Sequence, residues 1–291
     1  MNLSKFLQSS PNVLLFRHAP LWLSKRYLHV LGTLYYVANP QEKEIIARNI
    51  KTVFKNNSEA ETIVKKTFAG IFYHYSEKLT MAYRDFDILK KEFQESLQYS
   101  GLEYLDKALL KGGVILVTGH LGGVEFMPLA FHILKYPITM VVTFQTELLK
   151  KSLMERAKDR NVQLIDGEGD QVFQQSVQSL KNGRILLTEC DEVDAWKPYK
   201  NTTVDAFGRK VFLDRTLEVL CKRSGATVLG AFMIRTNKGY LLTIVPLADE
   251  YNIGREGLSA VILKTFERFV MKFPDQWYQW KKFHKMCPEA A

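Results

Sequence analysis

A histidine and a carboxylate five positions apart carry the clearest chemistry in this chain. His120 follows the apolar run Val114–Val117 and Thr118-Gly119, and Gly122, Gly123 and Glu125 come directly after it. An imidazole at a strand end, within reach of a carboxylate on the next helix, is the arrangement of an oriented general base that removes a proton from a hydroxyl. Gly122 and Gly123 keep the approach clear of side chains and leave helix N-terminal amides free to face a developing oxyanion. His29, His132 and His284 have no carboxylate so placed and read as packing or surface histidines.

The elements that position these residues follow from hydrophobic spacing. Residues 41–84 read as helical: Ile45, Ile46, Ile50 and Phe54 form one apolar stripe, and Ile63, Val64, Phe68, Ile71 and Phe72 another. Between them Lys55–Ser58 is a break, with Ser58 and Glu61 in capping-box spacing. From Gly101 onward short apolar runs alternate with helical patterns. Strands are expected at Val114–Val117, Ile138–Val142, Val162–Ile165 and Arg184–Thr188, then at Thr227–Ile234 and Tyr240–Val245 as a hairpin around Asn237-Lys-Gly239. Helices are expected at Leu102–Leu110, Gly123–Lys135, Thr146–Arg160, up to Lys181, at Thr216–Lys222 and at Leu258–Phe273. The pattern predicts an α/β fold: a mainly parallel central sheet flanked by helices, with a helical N-terminal part (1–100) and one continuous α/β core (101–291). In such sheets ligands collect beyond the carboxyl ends of the strands, where His120 lies.

Bulk properties narrow the classes. Three unpaired-looking cysteines, Cys190, Cys221 and Cys287, lack metal-ligand or CxxC spacing and fit a reducing compartment. No secretory signal is expected, because no short apolar core leads to a cleavage site. The formal charge of +9 favours anionic partners. No nucleic-acid-binding motif accompanies it, so nucleic acid is not expected as a partner. The stretch 11–38 is rich in Leu, Trp and Tyr but interrupted by Arg17, Pro20, Lys25 and Arg26. Those charges disfavour a spanning helix and suit one lying in a membrane interface. A helix packed within a soluble protein is the other reading. Trp277-Tyr-Gln-Trp280 before Lys281-Lys282 is read as packing more than as an interfacial anchor.

Several ordered motifs resemble one family. His120, four intervening residues and Glu125 are similar to the His-x4-Asp/Glu motif of glycerolipid acyltransferases. The closer match is the branch that contains the lauroyl and myristoyl acyltransferases of bacterial lipid A synthesis. The likeness continues through Arg48-Asn49-Ile50, Tyr136–Val142, Leu186–Asp191, Ala206–Arg209, Ser224–Val228 and Pro274–Trp277, and so covers roughly residues 40–285. Departures are Phe144-Gln145 where the family often has Arg-Pro, Glu189-Cys190 where it has an Asp-Gln pair, and the polar, aromatic loop Val193–Thr203.

The resemblance implies transfer of a fatty acyl chain from an acyl carrier protein or coenzyme A thioester to a hydroxyl of a lipid or glycolipid acceptor. His120 would be the base and Glu125 its partner, with Glu189 and Asp191 on the same rim. Arg156, Arg209 and Arg215 are candidates to hold phosphates. No metal or cofactor is implied, since the acyl thioester is a co-substrate. The expected location is the cytoplasmic face of a bacterial inner membrane, peripheral or monotopic. Two other readings stay open: an N-acyltransferase with an amine acceptor, and a catalytically inactive lipid-binding relative.

Overall fold

The runs at 114–118 and 185–189 are apolar on both faces, which suits strands covered by helices on either side. A computed structural model describes residues 7, 9–19, 21–158, 160–247 and 257–288, and it puts both runs near the centre of a seven-stranded sheet. The strands are β1 (Leu97–Ser100), β2 (Val114–Thr118), β3 (Ile138–Val142), β4 (Val162–Asp166) and β5 (Ile185–Glu189). A separate antiparallel hairpin is formed by β6 (Pro198–Ala206) and β7 (Arg209–Asp214), and β8 (Thr227–Thr236) and β9 (Gly239–Pro246) complete the sheet. The sheet order is β1-β9-β8-β2-β5-β3-β4, parallel throughout except for the β8–β9 hairpin. The expected mixed fold, mainly parallel with a late hairpin, is the one observed.

The register of β2 and β5 fixes the geometry of everything that follows. Val114 pairs with Ile185 and Thr118 with Glu189. Continuing this register by two residues sets His120 level with Asp191, although they are 71 positions apart in sequence. The amide of Cys190 donates to the Thr118 carbonyl at 2.8 Å, so the strands stay paired up to that point.

The helices before the sheet are α1 (Ser10–His18), α2 (Leu21–Ala38), α3 (Pro40–Val53), α4 (Asn57–Tyr83) and α5 (Phe86–Ser96). Within and after the sheet come α6 (Leu102–Leu109), α7 (Met127–Ile133), α8 (Glu147–Ala157), α9 (Val172–Lys181), α10 (Thr216–Ser224) and α11 (Gly257–Lys272). The N-cap of α4 is Asn56, whose side chain accepts from the Ser58 amide at 3.1 Å. The expected Ser58–Glu61 capping box is therefore displaced by two residues, because Asn56 is an equally good cap and lies nearer the break. After Gly123 the chain first makes a 3₁₀ turn, Val124–Phe126, and only then α7. Strand β1 and the β6–β7 hairpin are additions that the spacing did not announce. β1 is four residues long and largely exposed, and β6 and β7 together carry more polar than apolar residues.

Of the 11–38 segment, Pro20 and the side chains of Leu21, Trp22 and Lys25 lie outside the described residues. Apart from the extended Ala19 the remainder is helical, and Leu28 is buried against α4 while Leu23, Val30, Leu34 and Val37 are exposed. No helix among the described residues is long and apolar enough to cross a membrane.

Residues 274–286, two 3₁₀ turns after α11, close the core. Trp277, Trp280 and Phe283 are fully buried, and their cluster includes Ile46 and Ile50 of α3 and Phe68 of α4. This settles the aromatic tail as packing.

Candidate active site

His120 is held from two sides by carboxylates. Its backbone amide donates to both oxygens of Asp191, at 3.1 and 3.0 Å, and its ring Nδ1 lies 2.9 Å from Asp191 Oδ1. Nε2 lies 3.1 Å from Oε1 of Glu192, whose side chain is 44 % exposed. Asp191 is itself fully buried and takes a further hydrogen bond from Trp277 Nε1 at 2.7 Å. Burial alone would lower the His120 pKa, but Asp191, then Glu189 and Glu192, outweigh it and raise it to about 9. Asp191 is opposed by its own burial, yet His120, Trp277 and the His120 amide hold it below the ordinary carboxylate range. The unit is an aspartate–histidine pair whose outer nitrogen faces a mobile-length acidic side chain.

Glu125 pairs differently from what its spacing suggested. Its Oε1 lies 3.2 Å from Nε2 of His74 and 3.9 Å from Nζ of Lys78, both on α4. The 3₁₀ turn at 124–126 aims Glu125 at α4, while the β2–β5 register has already given the Nδ1 of His120 to Asp191. Burial raises the Glu125 pKa, with Lys78 and His120 opposing.

The two glycines are also used otherwise. The Gly122 amide donates to the Gln276 carbonyl at 3.0 Å and the Gly123 amide to the Met233 carbonyl at 2.8 Å. These amides are occupied and do not form the expected oxyanion hole. Gly122 has φ +60°, and a Cβ there would come within 2.0 Å of the Met233 carbonyl oxygen. Glycine is required because this loop packs against β8 and the 274–276 turn.

A cavity of about 1180 Å³ opens over this edge of the sheet. His74, Lys78, His120, Glu125, Glu189 and Tyr278 line its polar part, and Met81, Pro128, Leu129, Met140, Leu149 and Leu153 an apolar part. It lies across the carboxyl ends of β2, β5 and β3, the expected position for a ligand. Burial raises the Glu189 pKa to about 7 despite His120. Tyr278 stacks on His74 (ring centroids 4.0 Å apart) and presents an edge to His120 at 5.0 Å. Burial and the surrounding carboxylates hold its phenol far above the usual range, so it stays a neutral hydroxyl. Burial likewise pushes the Cys190 thiol well above its ordinary range, which disfavours the thiolate a nucleophile needs.

The arginines divide. Arg156 lines the cavity, but its Nε and Nη2 donate to the carbonyls of Ala82 and Arg84 at the end of α4. Arg209 begins β7 outside the cavity lining, and Arg215 is paired with Glu218 at 2.5 Å. His132 also reaches the cavity wall, with Nδ1 3.2 Å from the Arg160 carbonyl.

A family model described as bacterial lipid A biosynthesis acyltransferase matches residues 12–285. The chain belongs to that family. It is accordingly an acyltransferase of lipid A biosynthesis, with an acyl donor and a lipid acceptor. No curated protein matches the chain. The acyltransferase motif anticipated from sequence contributes His120 and Glu125 to one cavity, and the buried Asp191, two residues beyond β5, backs His120 from behind the lining. His74, Lys78, Tyr278 and Glu192 escaped the sequence reading. His74, Glu77 and Lys78 did leave a signal: three ionisable groups within five residues of a helix otherwise marked by an apolar stripe.

Proposed function

We propose that this acyltransferase moves a fatty acyl chain from a carrier thioester directly to a hydroxyl of its lipid acceptor, with His120 as general base. The observation that carries the reading is the Asp191–His120 pair at the edge of a cavity lined in part by apolar side chains. Asp191 accepts a hydrogen bond from Nδ1–H and fixes the tautomer, so that Nε2 faces the acceptor hydroxyl. Glu192 must swing aside to admit that hydroxyl, and its half-exposed side chain is free to do so. As the oxygen attacks the thioester carbonyl, its proton passes to Nε2 and Asp191 stabilises the imidazolium. Collapse of the tetrahedral intermediate expels the carrier thiolate, which takes the proton from Nε2 and returns His120 to its neutral form. No acyl-enzyme is needed. The apolar lining suits the acyl chain.

Incubating purified protein with a labelled acyl thioester and an under-acylated lipid A precursor tests this. Mass spectrometry should find one added acyl ester. Turnover of thioester without acylated lipid would overturn it. Acyl carrier protein and coenzyme A donors run in parallel identify the carrier.

We further propose that α2 rests in the inner-membrane interface, on the cytoplasmic face. Leu23, Val30, Leu34 and Val37 fall within roughly 60° of one another around the helix and are 39–75 % exposed. Exposed Arg17 and Arg26 flank them, the composition of a helix lying on an anionic bilayer. The pair of changes Leu34→Glu and Val37→Glu should abolish co-flotation with anionic vesicles. Unchanged flotation would refute the assignment.

A further inference from the structure

Both ring nitrogens of His120 already have carboxylate partners, Asp191 on Nδ1 and Glu192 on Nε2. Glu125 is thus a carboxylate of the cavity lining that pairs with neither ring nitrogen of His120. Its two contacts, with His74 and Lys78, both fall on Oε1. Oε2 accepts no hydrogen bond among the described residues, and the side chain lines the cavity.

His74 is built to hold Glu125 in place. It is 3 % exposed, clamped by the Tyr278 ring on one side and by Tyr75 edge-on at 5.6 Å. Burial first, and the nearby Lys78 and His120 second, keep it neutral, so it has one N–H to give. Nε2 lies 3.2 Å from Glu125 Oε1, and Nδ1 is a buried atom with no hydrogen-bond partner. A buried orphan of this kind weakens a fold and marks a side chain placed for another purpose. Tyr278 stands between the two histidines, so Glu125 and the outer nitrogen of His120 face one cavity from either side of a single ring.

We infer that His74 is a positioning residue that fixes Glu125 as a hydrogen-bond acceptor for a second hydroxyl or amide N–H of the lipid acceptor, next to the hydroxyl deprotonated by His120. The inference rests on the function proposed above. The chemistry points to the acceptor: a carboxylate oxygen facing the cavity attracts O–H and N–H donors, which the acceptor offers and a thioester carbonyl does not. Lys78 steadies the negative charge on the shared oxygen.

Steady-state kinetics separate the roles, with an under-acylated lipid A precursor in micelles as acceptor and an acyl thioester as donor. Glu125→Gln and His74→Phe should each raise the acceptor KM about tenfold, the size of one lost hydrogen bond to a charged group. The donor KM and the alkaline break of the pH profile near 9 should stay in place. His74→Gln puts an N–H where Nε2 was and should bring the acceptor KM most of the way back. If His74→Phe does not fold, Glu125→Gln decides alone. The inference falls if Glu125→Gln moves the pH break, raises both KM values alike, or leaves the acceptor KM unchanged. A wild type that acylates no lipid removes the proposed function itself; an active wild type with unshifted variants removes only this inference.

Discussion

Asp191→Asn is expected to lower the plateau kcat/KM of acyl transfer by about 10²–10⁴-fold, the range of an oriented general base. The carboxylate fixes the imidazole tautomer and offsets the charge that forms on it, and an amide does neither. The variant should also move the pH profile. In the native protein the His120 pKa is about 9, so only the small neutral fraction works at pH 7 and activity climbs until the pH passes that value. Without the Asp191 charge, burial pulls the pKa back toward or below its ordinary 6.5. The break then shifts down, and the loss at pH 7 is smaller than the loss on the plateau. Initial rates from pH 6 to 10 check both effects. Native-like rates, or a break still near 9, would remove Asp191 from the mechanism. The same shift carries a stability signature. His120 has a folded pKa above its unfolded one, so its ion pair stabilises the fold below about pH 6.5 and that contribution is lost as pH rises through about 9.

Trp277→Ala should cost about 3–5 kcal/mol of stability, the usual effect of emptying a large aromatic site in a core. Total stabilities run only about 5–15 kcal/mol, so the variant should unfold at much lower urea or fail to accumulate. Trp277 has no exposed surface and packs against Phe207, Phe266, Trp280 and Phe283. It also gives Asp191 a hydrogen bond at 2.7 Å. Trp277→Phe separates the two jobs: it keeps most of the packing and removes the donor, and should lower activity far more than stability. An urea midpoint for Trp277→Ala equal to wild type would show that this residue does not close the core.

The sheet was legible because its strands announce themselves. Val114–Val117, Ile138–Val142 and Arg184–Thr188 are short apolar runs between turns, and no helix competes for them. The active-site histidine was legible for the same reason, as a titratable group where a buried strand ends. Its partner was harder to read. Spacing along the chain favours Glu125, five residues away, whereas the partner is set by which strands lie side by side. Local pattern carries no information on β5 sitting next to β2, and the Asp191 contact exists only through that neighbourhood. Gly122 and Gly123 misled for a related reason. Their amides meet Gln276 and Met233, residues more than a hundred positions later. His74 was hidden inside an amphipathic helix whose apolar stripe explained the segment without it.

The tie between Trp277 and Asp191 has a consequence for biosynthesis. Every residue of the catalytic pair is synthesised well before Trp277, yet Asp191 lacks one of its donors and the cavity lacks Tyr278 until the 274–286 turns dock. A nascent chain that has emerged only through α11 therefore holds an unfinished base. Competence to consume thioesters arrives with the last stretch of the core, when translation through that segment is done.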